Sequence, residues 1–122
     1  MGSEMCIRDS SWGDGIASTN ANYNASGYSQ TRDVGQYAAN PWGFFDMHGN
    51  VWEWTADWYQ AAYPNGNPVV DPTGPASGSY RVRRGGGWSR GWADQRSARR
   101  RYPSPGAREN TTGFRVCLQK SQ

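Results

Sequence analysis

Hydrophobic and polar positions alternate with a period of two in three short stretches, and nowhere do they sustain a helical period. Val51-Trp52-Glu53-Trp54-Thr55 predicts a strand with Trp52 and Trp54 on one face and Glu53 on the other. Residues 80–84 predict a second, with Tyr80 and Val82 inward and Arg81 and Arg83 outward. Residues 113–118 predict a third, turning Phe114, Val116 and Leu118 towards a core. Turn signals separate them. Residues 12–24 read as loop around Gly13-Asp14-Gly15, with Asn20, Asn22 and Asn24 suited to irregular backbone. Thr31-Arg32-Asp33-Val34-Gly35 reads as a short extended piece, and Asn40-Pro41-Trp42-Gly43 leads into one expected helical turn over residues 44–48. Residues 64–79 carry Asn65-Gly66, Asn67-Pro68, Asp71-Pro72 and Gly74-Pro75, the signature of a long surface loop. With no repeat and no heptad pattern, the expectation is a loop-rich mixed fold of short strands.

Composition supports one small domain. A chain of 122 residues has room for a single modest core. Only 35% of residues are hydrophobic, yet seven Trp and seven Tyr set the chain apart from disordered sequences. A few large rings must bury the area that many aliphatic side chains bury elsewhere. No apolar run approaches the roughly 18 residues of a membrane span. Met5-Cys6-Ile7-Arg8-Asp9-Ser10 resembles a translated sequencing-adapter remnant of the kind found in assembled metagenomic reads. Residues 1–11 are therefore expected to be a non-native leader and are set aside in reading the fold of residues 12–122. With Cys6 set aside, Cys117 is the one remaining cysteine, which excludes a disulfide within residues 12–122.

Three candidates carry chemistry. Asp46 and Glu53 flank the turn His48-Gly49-Asn50, which can fold their oxygens together for a hard cation such as calcium. The same spacing fits two carboxylates capping backbone donors around a Trp-rich core, and both readings stay open. His48, the single histidine, sits in a turn signal with no second imidazole and reads as structural. The third candidate is basic. Arg81, Arg83, Arg84, Arg90, Arg96, Arg99, Arg100, Arg101 and Arg108 supply nine of the 13 Lys and Arg residues, and between residues 80 and 108 only Asp94 opposes them. Trp88, Trp92 and Tyr102 are interleaved, and arginine with aromatics is the composition of a recognition surface. Anionic sugars and acidic protein surfaces fit it, whereas a net charge of +3 is small for nucleic acid. No Ser-His-Asp order, phosphate loop or zinc spacing is present.

Taken in order, Gly43-Phe44-Phe45-Asp46-Met47-His48-Gly49-Asn50-Val51-Trp52-Glu53-Trp54, then Arg84-Gly85-Gly86-Gly87-Trp88, Arg96-Ser97-Ala98 and Gly113-Phe114-Arg115-Val116 resemble the sulfatase-modifying-factor family, which includes the formylglycine-generating enzymes. The resemblance spans residues 12–118 and implies an α+β, loop-rich C-type-lectin-like fold with short, mostly antiparallel strands, of which residues 12–122 are expected to be the C-terminal part. It implies a calcium held by the side chain of Asp46, the backbone carbonyls of Gly49 and Val51, and the carboxylate of Glu53. A second family calcium site would match Asn22, Tyr23, Ser26 and Tyr28, but Ser26 stands where a carboxylate is expected, so only the first is carried over. The enzymes bind copper through a cysteine pair after the Gly-Gly segment. Here that stretch, Trp88-Ser89-Arg90-Gly91-Trp92-Ala93-Asp94-Gln95, has no cysteine. No catalytic residue and no copper are therefore expected. Arg96, Arg108 and Arg115 match positions that anchor loops and carboxylates.

The resulting expectation is a non-catalytic, calcium-stabilised recognition domain binding a protein or glycan through residues 88–112. Its contact residues would be Trp88, Arg90, Trp92, Asp94, Arg99, Arg100, Arg101 and Tyr102. One alternative is a piece of a formylglycine-generating-type oxidase whose catalytic residues lie elsewhere. Another is a variable ligand-binding protein of a diversity-generating retroelement, with residues 89–95, 99–102 and 104–112 diversified between framework blocks.

Overall fold

A computed structural model of the chain describes residues 10–13, 15–62 and 74–118. Three strands form one open mixed sheet: β1 (Trp52–Trp58), β2 (Arg81–Arg84) and β3 (Thr112–Gly113), in the order β2-β1-β3. β1 and β2 run antiparallel, pairing Glu53 with Arg84 and Trp54 with Arg83, and the register slips before Trp58 meets Arg81. Such a slip is a bulge, which bends and twists a strand locally. β3 pairs with β1 in parallel, Trp52 opposite Thr112 and Glu53 opposite Gly113. Beyond the sheet, β2 is bridged to Arg101 by reciprocal backbone hydrogen bonds with Arg83 of 2.8 and 3.0 Å. Among the described residues, helix is limited to 3-10 turns at Asn24–Ser26 and Trp92–Gln95.

Several expectations are corrected. The Trp strand extends past Thr55 to Trp58, because β2 continues alongside it. No helical turn forms over residues 44–48, where Asp46 takes a left-handed φ of 53°. Residues 31–35 form no strand; Arg32 instead donates its backbone N–H to the Asn50 side chain. In β2 Val82 is buried as expected, but Arg83 is buried beside it and Tyr80 lies half exposed. Arg83 is covered because Glu109 and Thr112, arriving from the far end of the chain, bond its guanidinium. The third strand stops at Gly113, and Phe114, Val116 and Leu118 point to solvent, since no described segment packs over them. Of the long loop, residues 64–73 lie outside the described residues, and 74–79 carry no strand.

The interior is small and unusually polar. Trp52 and Val82 are its apolar centre, with Ala21 and Tyr23 beside them. Asn22, Asn50, His48 and Gln95 are buried among them. A buried polar group is costly unless bonded. Asn22 meets this by donating to Gln30 O (2.8 Å) and to Asn50 Oδ1 (3.2 Å). Asn50 in turn donates to Arg32 O at 3.1 Å. Loops are thus pinned to one another by side-chain amides, where a larger domain would use strands.

Candidate functional site

The turn before β1 is built on close backbone approach. Gly49 has a φ of 85°, and a Cβ there would lie 2.5 Å from the carbonyl oxygen of Asn22. Only glycine tolerates both conditions. Its N–H bonds Gly85 O, and the N–H of Asn50 bonds Asn22 O, each at 2.7 Å. This folding brings all four sequence-proposed cation residues, Asp46, Gly49, Val51 and Glu53, to the wall of one cavity of about 440 Å³. Asp46 accepts the N–H of Gly35 on Oδ2 at 2.6 Å. Glu53 accepts two hydrogen bonds from Arg115, from Nε at 2.6 Å and Nη2 at 2.5 Å. Arg115 also donates to the carbonyls of Phe45 and Asp46, both at 3.0 Å.

Two carboxylates with neighbouring backbone carbonyls are the donor set a hard cation prefers, and each engaged carboxylate oxygen keeps a second lone-pair direction. The Arg115 guanidinium already balances one of the two negative charges. No cluster of three His, Cys, Asp or Glu side chains occurs among the described residues, so any cation here would depend on carbonyl oxygens for the rest of its shell. The second family-type set is engaged internally, with Ser26 Oγ lying 2.8 Å from Asn22 Oδ1 and 2.7 Å from Tyr23 O.

His48 is buried behind this turn. Its Nδ1 lies 2.6 Å from Gln95 O, and its Nε2 lies 3.0 Å from the N–H of Ser11 and 2.9 Å from the Ser11 hydroxyl. A neutral ring protonated on Nδ1 satisfies every partner. Burial lowers its pKa below the ordinary 6.5, opposed by the Gln95 carbonyl. Nδ1 is thus committed to Gln95, while the partner of Nε2 is Ser11, the last residue of the expected leader.

The basic segment divides. Arg99, Arg100, Arg101 and Tyr102 converge with Arg83 and Pro103 around a cavity of about 460 Å³. Asp94 orders two of them, accepting Arg99 Nε at 2.7 Å and lying 3.6 Å from Arg101 Nη2. Arg100 donates to the carbonyl of Gln60 at 3.0 Å and lies over the Tyr59 ring at 5.2 Å. Tyr102 stacks on Tyr59 with centroids 3.7 Å apart, and Tyr80 meets Tyr102 edge-on at 6.3 Å. Trp88, Arg90 and Trp92 do not line this cavity. Trp88 reaches Asn110 O at 3.4 Å, while Trp92, 59% exposed, borders a separate shallow pocket with Ile16 and Gln95.

Sequence reasoning missed three contributors. Arg83 was placed outward by the alternation, yet it forms the floor of the basic cavity, 4% exposed and 5.8 Å from the Trp52 ring centroid. Glu109, which holds Arg83 Nη1 at 2.7 Å and is itself held below its ordinary pKa by that bond, lies outside any acidic pattern. Gln95 is fully buried, its amide nitrogen within 3.3–3.4 Å of the carbonyls of Gly87, Arg90 and Gly91. Nothing in hydropathy marks a glutamine for the interior.

Comparison with known proteins gives a consistent set of likenesses. Residues 8–120 match the family model of the sulfatase-modifying factor enzyme 1-like domain. The chain is 43% identical over 105 residues to the serine/threonine-protein kinase pkn1 of Chlamydia caviae, covering 84% of this chain and 16% of the kinase. It is 37% identical over 95 residues to the formylglycine-generating enzyme of Thermomonospora curvata, covering 73% of this chain and 31% of that enzyme. Among solved structures it superposes on Treponema denticola variable protein 1 with a TM-score of 0.77 and 34% identity, over 87% of this chain and 40% of that one. The chain therefore spans well under half the length of each.

Proposed function

The chain belongs to the sulfatase-modifying factor enzyme 1-like family, and from that premise we propose that it is a non-catalytic recognition domain of C-type-lectin-like fold, stabilised by calcium and binding a protein or glycan through residues 88–112. One observation carries this reading above the rest: Arg99, Arg100, Arg101 and Tyr102 converge on a single cavity with Arg83 of β2. The sequence adds that the segment where the family's enzymes hold copper contains no cysteine. Cys117 is exposed and lies beyond β3, away from that segment. One thiol cannot supply a two-thiolate copper site.

In this reading calcium would be held by Asp46, Glu53 and the carbonyls of Gly49 and Val51, and would supply charge balance at the turn without chemistry of its own. The convergence of these residues on one cavity supports it. A ligand of the native state must raise stability in proportion to its saturation. Calcium at about 100 times its dissociation constant should therefore stabilise the full chain by about 2.7 kcal/mol. Equal melting temperatures in calcium and in chelator would count against the metal. Stoichiometric copper binding with oxygen-dependent oxidation of a cysteine-containing peptide would overturn the non-catalytic assignment in favour of an oxidase.

The likeness to a variable protein favours a second reading, in which residues 89–95, 99–102 and 104–112 are diversified by a retroelement for ligand binding. A neighbouring reverse-transcriptase gene, with a template repeat matching the coding region of residues 84–116, would establish it. Differences among sister copies that do not fall at template adenines would sink it.

A further inference from the structure

We infer that the sheet edge at β3 pairs with the same edge of a second copy of this chain. β3 is an edge strand, and the chain continues past Gly113 through residues 114–118 with neither helix nor turn. Among the described residues, no backbone hydrogen bond joins residues 115–118 to another segment. Phe114, Val116 and Leu118 are exposed and alternate with the exposed Arg115 and Cys117. An open edge with apolar alternation is a template for pairing with another chain.

The apolar surface is wide enough for such a pairing. Val34, Phe44 and Phe45 line the same cavity as Phe114, and each is about half exposed or more. With Phe114, Val116 and Leu118 they offer on the order of 800 Å², about what one partner contributes to a standard-size interface. Covering most of it would still exceed the about 500 Å² per partner that a specific interface needs.

The segment also complements itself. Turned antiparallel about a two-fold axis at Val116, it sets Phe114 against the partner's Leu118 and Val116 against the partner's Val116. Its one cation, Arg115, is already paired within the chain to Glu53 at 2.5 Å, so neither copy asks the other for an opposite charge. Arg101 bridges to β2 on the opposite edge of the sheet, and Arg99 and Arg100 lie with it. Two copies joined through β3 therefore keep those arginines apart. The pairing is independent of whatever residues 88–112 bind.

Sedimentation equilibrium of the full chain between about 1 and about 100 μM tests it, a range that brackets weak dimers. The mass should rise from one chain to two and stop there, because a two-fold interface closes. Over the same range the enhancement of a hydrophobic dye, per chain, should fall as the face is covered. Val116→Lys sets like charges against each other at the axis and should weaken association about tenfold or more. Tyr80→Ser removes a half-exposed ring beside β2 and should change association less than about twofold. Melting temperatures check that both variants are folded. In a Cys6→Ser chain Cys117 is the one thiol. A bis-maleimide of about 8 Å reach should then join it to the partner's Cys117, its diagonal neighbour in this register. A single-chain mass throughout, growth beyond two chains, equal losses in the two variants, or no cross-link would each overturn the pairing. So would dye enhancement that stays constant while the mass doubles.

Discussion

Glu53 and Arg115 meet across 62 residues of sequence, yet their bidentate contact closes the turn that Gly49 makes possible. Arg115→Met would strand the Glu53 carboxylate and release two loop carbonyls. With the pair partly screened by water, the expected loss is about 2 kcal/mol in denaturant unfolding, and Arg115→Lys should restore only part of it because lysine lacks the fork. His48 makes a prediction of a different kind. Its folded pKa lies below the ordinary 6.5, so between those two values the unfolded chain binds more protons than the folded one. Stability from this group is fully present above about pH 6.5 and falls as the pH drops towards the folded pKa, then levels off. His48 is the single histidine, so the slope seen in unfolding free energy just below pH 6.5 should vanish in His48→Gln. The carboxylates and the glycine were legible in sequence because turn chemistry is local. Their partner Arg115 was legible only as a family position, since no local pattern announces a contact made 62 residues away.

The strands were read correctly where neighbours in sequence decide burial. Trp52 and Val82 are interior as their alternation requires. The reading failed where burial is decided by distant segments. Arg83 goes under because Glu109 and Thr112 cover it, and Phe114 stays out because no described residue does. The segment from Gly85 to Gln95 shows the same dependence. Gly86 has a φ of 76°, and a Cβ on it would lie 2.1 Å from Gln95 Oε1, so the glycine makes room for the amide that gathers the loop. Gln95→Leu would fill similar volume but remove the amide donor shared by the carbonyls of Gly87, Arg90 and Gly91, each of which keeps one backbone N–H. A loss of about 1 kcal/mol is expected, together with faster amide hydrogen exchange across residues 87–91. Wild-type exchange rates there would show that the loop is held by its own backbone.

For so short a sheet, the chain exposes much apolar surface. Phe114, Val116 and Leu118 are 75%, 89% and 105% exposed, and Val34, Phe44, Phe45 and Phe114 line the cavity that holds Asp46, Glu53 and Arg115. Contiguous apolar surface on that scale attracts other apolar surface. The 122-residue chain should enhance the fluorescence of a hydrophobic dye under native conditions, and Phe114→Ser with Val116→Ser should remove most of the enhancement without lowering the melting temperature. A general fold class was legible from alternation and turn residues. The strand order was not, because a parallel partner leaves no local mark in sequence. That order has a consequence for synthesis on the ribosome. The central strand is made early, its antiparallel neighbour follows, but the neighbour on its other edge is Thr112–Gly113. Until that dipeptide has cleared the exit tunnel, Trp52 has an open flank and Arg83 lacks Glu109 and Thr112. Chaperone recruitment to the nascent chain should therefore be strongest in the interval between the emergence of β2 and that of β3.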